Sequence, residues 1–131
     1  MFDILVVEDD AKLNQIYCSA LRNNSFNAVP AFDGEEALNI MAEKNFDLVI
    51  SDIMMPGVDG YELTRELREY YPELPILMIS AKEKFEDKRH GFLAGIDDYM
   101  VKPVDLNEML LRIHALLRRA KIVSERKLTI G

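Results

Sequence analysis

Leu48-Val49-Ile50-Ser51-Asp52 is the stretch on which the fold turns. Three apolar residues follow one another without alternation, the pattern of a strand covered on both faces, and the run closes on a carboxylate. Working outward, similar runs recur at Ile4-Leu5-Val6-Val7, Ala28-Val29, Ile76-Leu77-Met78-Ile79 and Tyr99-Met100-Val101. Between them the period becomes helical. Leu13, Ile16, Tyr17, Ala20 and Leu21 paint one apolar stripe, and Leu106, Met109, Leu110, Ile113, Leu116 and Leu117 paint another. Turn signals at Asp33-Gly34, Pro56-Gly57, Asp59-Gly60, Pro72, Pro75 and Pro103 fall between the elements. Five strand-then-helix units require parallel strands joined by crossovers, with helices on both faces. The expected fold is a doubly wound α/β domain.

The chain has 131 residues, 49% of them hydrophobic, which suits one core and one domain. Its formal net charge of −7 argues against binding nucleic acid by itself, since a phosphate backbone is held by a surplus of Lys and Arg. Proteins, cations or small ligands are the expected direct partners. A single cysteine, Cys18, excludes an internal disulfide and reads as a half-buried thiol on a helix; no Cys and His cluster has zinc spacing. The apolar run at the N-terminus is far too short for a signal sequence or a membrane span and lacks a basic leader. The expected setting is cytoplasmic, with no membrane contact.

In an open parallel sheet, ligands bind beyond the carboxyl ends of the strands. Reading each run to its end gives Glu8-Asp9-Asp10, then Asp52, then Ser80-Ala81, then Lys102-Pro103. Carboxylates gathered from two strand ends repel one another unless a cation or protons neutralise them. Oxygen donors without His or Cys favour a hard ion, and a sparse set favours Mg²⁺. Asp10, at the start of the first helix, reads as its N-cap. Any one of these residues alone is an ordinary loop acid, surface lysine or turn serine. Together, a carboxylate, a metal, an ammonium and a hydroxyl are what phosphoryl transfer to an aspartate requires. Neither G-x-x-x-x-G-K-[ST] nor G-x-G-x-x-G occurs, and three acids would repel a flavin phosphate. Phosphohydrolases of the haloacid-dehalogenase type carry a second Asp where this chain has Met54.

Four segments, in order and spacing, resemble one family: Val6-Val7-Glu8-Asp9-Asp10, Ser51-Asp52-Ile53-Met54-Met55-Pro56-Gly57-Val58-Asp59-Gly60, Ile79-Ser80-Ala81 and Asp97-Asp98-Tyr99-Met100-Val101-Lys102-Pro103. They resemble the receiver domains of bacterial two-component response regulators, over about Asp3 to Arg119. The resemblance implies a flavodoxin-like sheet of five parallel strands in the order 2-1-3-4-5. It makes Asp52 the phosphoacceptor of a sensor histidine kinase. It assigns Mg²⁺ to Asp9, Asp52 and the backbone carbonyl of Met54, with Glu8 reaching the ion through water. Ser80 becomes the hydroxyl that follows the phosphoryl group, and Lys102 the cation that contacts it. The Lys102–Pro103 peptide is expected to be cis, and Tyr99 is expected to turn inward as Ser80 moves. Met54 and Lys82 stand where water access is tuned. Such a domain is a switch, catalysing only its own phosphorylation and dephosphorylation.

Beyond Arg119, Ala120-Lys121-Ile122-Val123-Ser124-Glu125-Arg126-Lys127-Leu128-Thr129-Ile130-Gly131 reads as a polar linker and the first residues of another strand. Residues 1–120 are then the receiver, and 121–131 lead into a C-terminal DNA-binding domain. The resemblance narrows to the OmpR/PhoB type, with a winged-helix effector and a homodimer through the fourth helix, fifth strand and fifth helix. Charge pairs matched to that interface are Lys88 with Glu108, Asp97 with Arg119, and Asp98 with Arg112, each across the two-fold axis. Arg89, Val104 and Ile96 depart from the type, and Arg89 replaces an aliphatic residue on the dimer face. A protein-partner or phosphorelay output is the alternative, and an aspartyl-phosphate phosphatase stands behind it.

Overall fold

Every apolar run becomes a strand, and every helical stretch crosses back over the sheet. The computed structural model of the protein describes residues 1–55, 57–81 and 85–130; Pro56, Lys82 and Gly131 lie outside these, as do the side chains at 85 and 122–130. The elements are β1 (Asp3–Val7), α1 (Ala11–Asn23), β2 (Asn27–Ala31), α2 (Gly34–Glu43), β3 (Leu48–Asp52), α3 (Gly60–Tyr70), β4 (Ile76–Ser80), α4 (Phe85–Ala94), β5 (Asp98–Val101) and α5 (Leu106–Ile130). The five strands are parallel in the order β2-β1-β3-β4-β5. This is the expected flavodoxin-like topology.

The unbroken apolar runs are explained by the two cores they serve. Leu5, Val7, Val49, Ile76 and Met78 point to one face, where they meet Leu63, Leu67 and Tyr99. Ile4, Val6, Leu48, Ile50, Leu77 and Ile79 point to the other, against Tyr17, Leu21, Met109 and Ile113. Successive side chains of a strand alternate faces, so a strand with a core on each side must be apolar at every position. β3 and β4 are buried along their whole length, whereas β2 is only intermittently buried. Pro30 lies on β2, an edge strand, where a missing N–H costs least.

Aspartate caps start four of the helices, Asp105 capping α5 through the amides of Asn107 and Glu108. Asp10 accepts from the amides of Lys12 and Leu13, Asp33 from Glu36, and Asp59 from Glu62. Gly60 begins α3 hard against the end of β3, with its amide on the Ile53 carbonyl at 2.9 Å. A Cβ there would lie 2.7 Å from Ile53 Cα and closer still to the Asp52 carbonyl oxygen.

Two expectations are corrected. On α1 the buried face is Asn14, Tyr17, Cys18 and Leu21, while Ile16 is 48% exposed. The stripe is rotated because the polar Asn14 finds main-chain partners inside, which hydropathy does not register. The second correction concerns the tail, where α5 continues to Ile130 instead of giving way to a linker and a strand. No Gly or Pro interrupts 120–130, so nothing in the local sequence stops the helix there.

Candidate functional site

Parallel strands deliver their carboxyl ends to one edge, and there the chain places Glu8, Asp9, Asp52, Ser80 and Lys102. Lys102 follows β5 and lies between two acids, with Nζ 2.8 Å from Glu8 Oε1 and 2.7 Å from Asp52 Oδ2. Both acids are sunk in the edge, Glu8 at 2% and Asp52 at 5% exposure. The remaining oxygens are also assigned. Glu8 Oε2 accepts the Asp10 amide at 3.1 Å, and Asp52 Oδ1 accepts the Met54 amide at 3.2 Å. The Lys102–Pro103 peptide is cis, as expected.

Carboxylate oxygens of Glu8, Asp9 and Asp52 lie within 4.8 Å of one another. Three carboxylates thus face one ammonium. Burial, the largest influence on Glu8, pushes its carboxyl up to about 7; the Lys102 hydrogen bond and the Asp10 amide oppose this, and the charge of Asp52 adds to it. Lys102 is raised as well, against its burial and by its partners. Burial pulls its ammonium down, but the hydrogen bonds to Asp52 and Glu8 outweigh this, and the group stays charged well above neutrality. The donor set is entirely oxygen, its negative charge exceeds that of its one ammonium, and one acid is already pressed towards its neutral form. These residues fit a hard divalent cation such as Mg²⁺.

Ser80 ends β4 fully buried, and its hydroxyl is hydrogen-bonded to Tyr99. Tyr99 is only 7% exposed, so its ring is already inside beside Ser80, where the sequence had it enter only after Ser80 moved. Burial raises its phenol and the Ser80 bond works against that. Ile96 is buried in the same region because Gly91 makes room; a Cβ on Gly91 would meet Ile96 Cδ1 at 2.8 Å. Met54 is 62% exposed beside Asp52, and Val104 packs on the core shared by α1 and α5.

The six charged residues matched to a two-fold interface are arranged mostly within the chain. Both oxygens of Asp98 lie 2.8 Å from Arg112 Nη1, and Arg112 also holds Glu108 at 2.8 Å. Asp97 takes Arg68 at 3.0 Å and the Ile76 amide at 2.8 Å. Lys88 Nζ lies 6.0 Å from the centre of the Tyr99 ring, and Arg119 is exposed. Sequence reasoning did not find Asn14, a fully buried amide that binds the loop carrying Glu8. The available signal was a polar residue at helical spacing from Cys18 and Leu21.

A doubly wound sheet with a buried aspartate, an acid pair and a lysine at its carboxyl edge defines a protein built to accept a charged group on a carboxylate. The chain belongs to the response regulator receiver domain family, whose profile matches residues 4–114. The heme response regulator HssR of Staphylococcus epidermidis is 40% identical over 131 residues, all of this chain and 58% of that protein. The chain thus spans little more than half the length of the curated relatives it matches. Among solved structures, the Francisella response regulator 1452 receiver domain superposes with a TM-score of 0.86 at 34% identity, covering 91% of this chain and 98% of that one. The Vibrio cholerae chemotaxis protein CheY4 gives 0.85 at 30% identity, covering 88% and 98%. Among the described residues, no helix is long and apolar enough to cross a membrane.

Proposed function

We propose that this receiver takes a phosphoryl group from the phosphohistidine of a sensor kinase onto Asp52, with Mg²⁺ at the acid pair, and so controls dimerisation of a cytoplasmic, DNA-binding transcription regulator. The observation that carries the reading is Lys102 placed between Glu8 and Asp52 at the end of β5. An Asp52 oxygen forms the new P–O bond as the donor P–N bond breaks, and the electron pair departs with the imidazole, which takes up a proton. Lys102 Nζ, held above neutrality in its charge, is free to follow the anionic oxygens as Asp52 becomes an acyl phosphate. Asp9, Asp52 and the Met54 carbonyl would hold the ion directly, and Glu8 through water. When bound, Mg²⁺ offsets charge on the transferring oxygens. Ser80 and Tyr99, already hydrogen-bonded, lie next to this edge and link the phosphoryl group to α4 and β5. The domain turns over no metabolite.

Dimerisation in this reading is an exchange of partners: Arg112 trades Asp98 of its own chain for the same residue of a second copy. The winged-helix output of the OmpR/PhoB type is supported by relatives that extend well past this chain. Because curated relatives are heme response regulators, heme is the first stimulus to try, read as phosphorylation of the protein in heme-treated cells.

The test is intact mass after incubation with Mg²⁺ and acetyl phosphate. The protein is expected to gain one phosphoryl group, and Asp52→Asn to gain none; a gain at that site in Asp52→Asn overturns the assignment. For the output, Glu108→Lys should lower the phosphodonor-driven dimer fraction in analytical ultracentrifugation, with Lys88→Glu partly restoring it. Indifference to both changes removes the charge-pair interface.

A further inference from the structure

Asn14 sits on the inner face of α1 at 1% exposure. Its Nδ2 lies 3.2 Å from the Val6 carbonyl, 3.1 Å from that of Glu8 and 3.0 Å from that of Ala31. Two amide protons are shared by three acceptors, and the assignment of nitrogen is fixed by them, since an oxygen there would face three other oxygens. Oδ1 points the other way and accepts from the Cys18 thiol at 3.2 Å, one turn along the helix.

The three carbonyls share a purpose. Pairing of β1 with β2 ends at Val7 and Ala31, so beyond that point the sheet ladder no longer dictates the path of the chain. The Glu8 carbonyl belongs to the peptide that joins Glu8 to Asp9, and the Glu8 amide already donates to the Ala31 carbonyl at 3.0 Å. Asn14 therefore closes a bracket around the Glu8–Asp9 peptide, tying it to the ends of both strands. Asp9 itself is exposed, so side-chain packing does not hold it; its position is inherited from that peptide.

We infer that Asn14, oriented by the Cys18 thiol, is the positioning residue that presets the Glu8–Asp9 acid pair for its divalent cation. This rests on the metal-assisted reading above, and concerns a residue that touches neither the cation nor the phosphoryl group. Supporting groups of this kind tune metal affinity more than the nucleophile. Loss of Asn14 should raise the Mg²⁺ needed for reaction while leaving the saturated rate close to that of the wild type.

The experiment titrates Mg²⁺ calorimetrically into the wild type, Asn14→Ala, Cys18→Ala and Cys18→Ser, and measures acetyl phosphate labelling by mass across the same Mg²⁺ range. Asn14→Ala should raise the Mg²⁺ dissociation constant about tenfold, with a saturated rate within about twofold of the wild type. Cys18→Ala should raise that constant about twofold, the size of one weak hydrogen bond, and Cys18→Ser should restore it because a hydroxyl donates to the same oxygen. A folded Asn14→Ala protein with unchanged Mg²⁺ affinity overturns the inference. Should Asn14→Ala not fold, equal Mg²⁺ affinity in Cys18→Ala and Cys18→Ser overturns it instead. Wild-type protein that binds Mg²⁺ through an Asn14-dependent site yet takes up no phosphoryl group would sink the phosphoacceptor reading and leave the positioning role standing.

Discussion

At the carboxyl end of the sheet three carboxylates gather, two of them on the ammonium of Lys102, while at the amino end the guanidinium of Arg68 meets one carboxylate and four main-chain carbonyls. Arg68 donates to Gly95, Tyr71, Pro72 and Leu74 at 2.6–3.3 Å and to Asp97 at 3.0 Å, closing the end of α3 onto the loops that enter β4 and β5. Its one positive charge meets one negative charge, and its planar fork is used in full. The Lys102 cluster is the reverse, a charge imbalance kept under cover. One end is a finished clasp with its charges matched, and the other gathers more negative charge than its one ammonium, which is the difference between a structural and a chemical use of charged side chains.

The sharpest break of this comparison is Gly60→Ala. A Cβ at 60 must displace the backbone of Ile53 and Asp52, so we expect a loss of about 3 kcal/mol in urea unfolding, with phosphoryl uptake abolished together with it. Retained stability and uptake would show the carboxyl edge to be far more plastic than its packing. Next comes Arg68→Ala, expected to cost about 2–3 kcal/mol by stripping carbonyls and Asp97 of their donor. Its Mg²⁺ affinity, measured by calorimetry, should stay within about twofold of the wild type; a larger change would mean the two ends are coupled.

A pH experiment tests the imbalance directly. The Glu8 carboxyl in the folded chain is raised from 4.5 to about 7, so its protonation favours the folded state; that contribution is fully present below pH 4.5 and is lost as pH rises through about 7. In EDTA, the wild type should therefore gain on the order of 1–3 kcal/mol relative to Glu8→Gln as pH falls across that window. Parallel denaturation profiles for the two proteins would contradict it. The smallest effect belongs to Arg112→Ala. Its pairs with Asp98 and Glu108 are partly exposed, and about 0.5 kcal/mol is expected in thermal unfolding.

How far these two ends could be read from sequence follows from the range of their contacts. The strands, the helices and the residues at each strand end were legible because burial on both faces writes itself locally, as in Leu48-Val49-Ile50. Glu8, Asp9, Asp52, Ser80 and Lys102 could be gathered because parallel topology sends every strand end to one edge. Arg68 could not be matched with Asp97 and Gly95, which lie 29 and 27 positions away and leave no periodic trace. Asp97 was instead matched with Arg119 on a presumed interface. Asn14 escaped notice because a hydropathy stripe counts an amide as outward-facing, whatever carbonyls await it. The run of α5 to Ile130 was hidden by an alternation in 128–130 that a helix tolerates equally well.

Lys102 reaches Glu8 across 94 positions and Asp52 across 50. Both ion pairs of the site therefore join the last strand of the domain to its first and third, and a chain that has folded only one half can form neither. On the proposed phosphoacceptor reading, a copy whose last strand is not in place lacks both pairs, so phosphoryl uptake would also report that the sheet is complete.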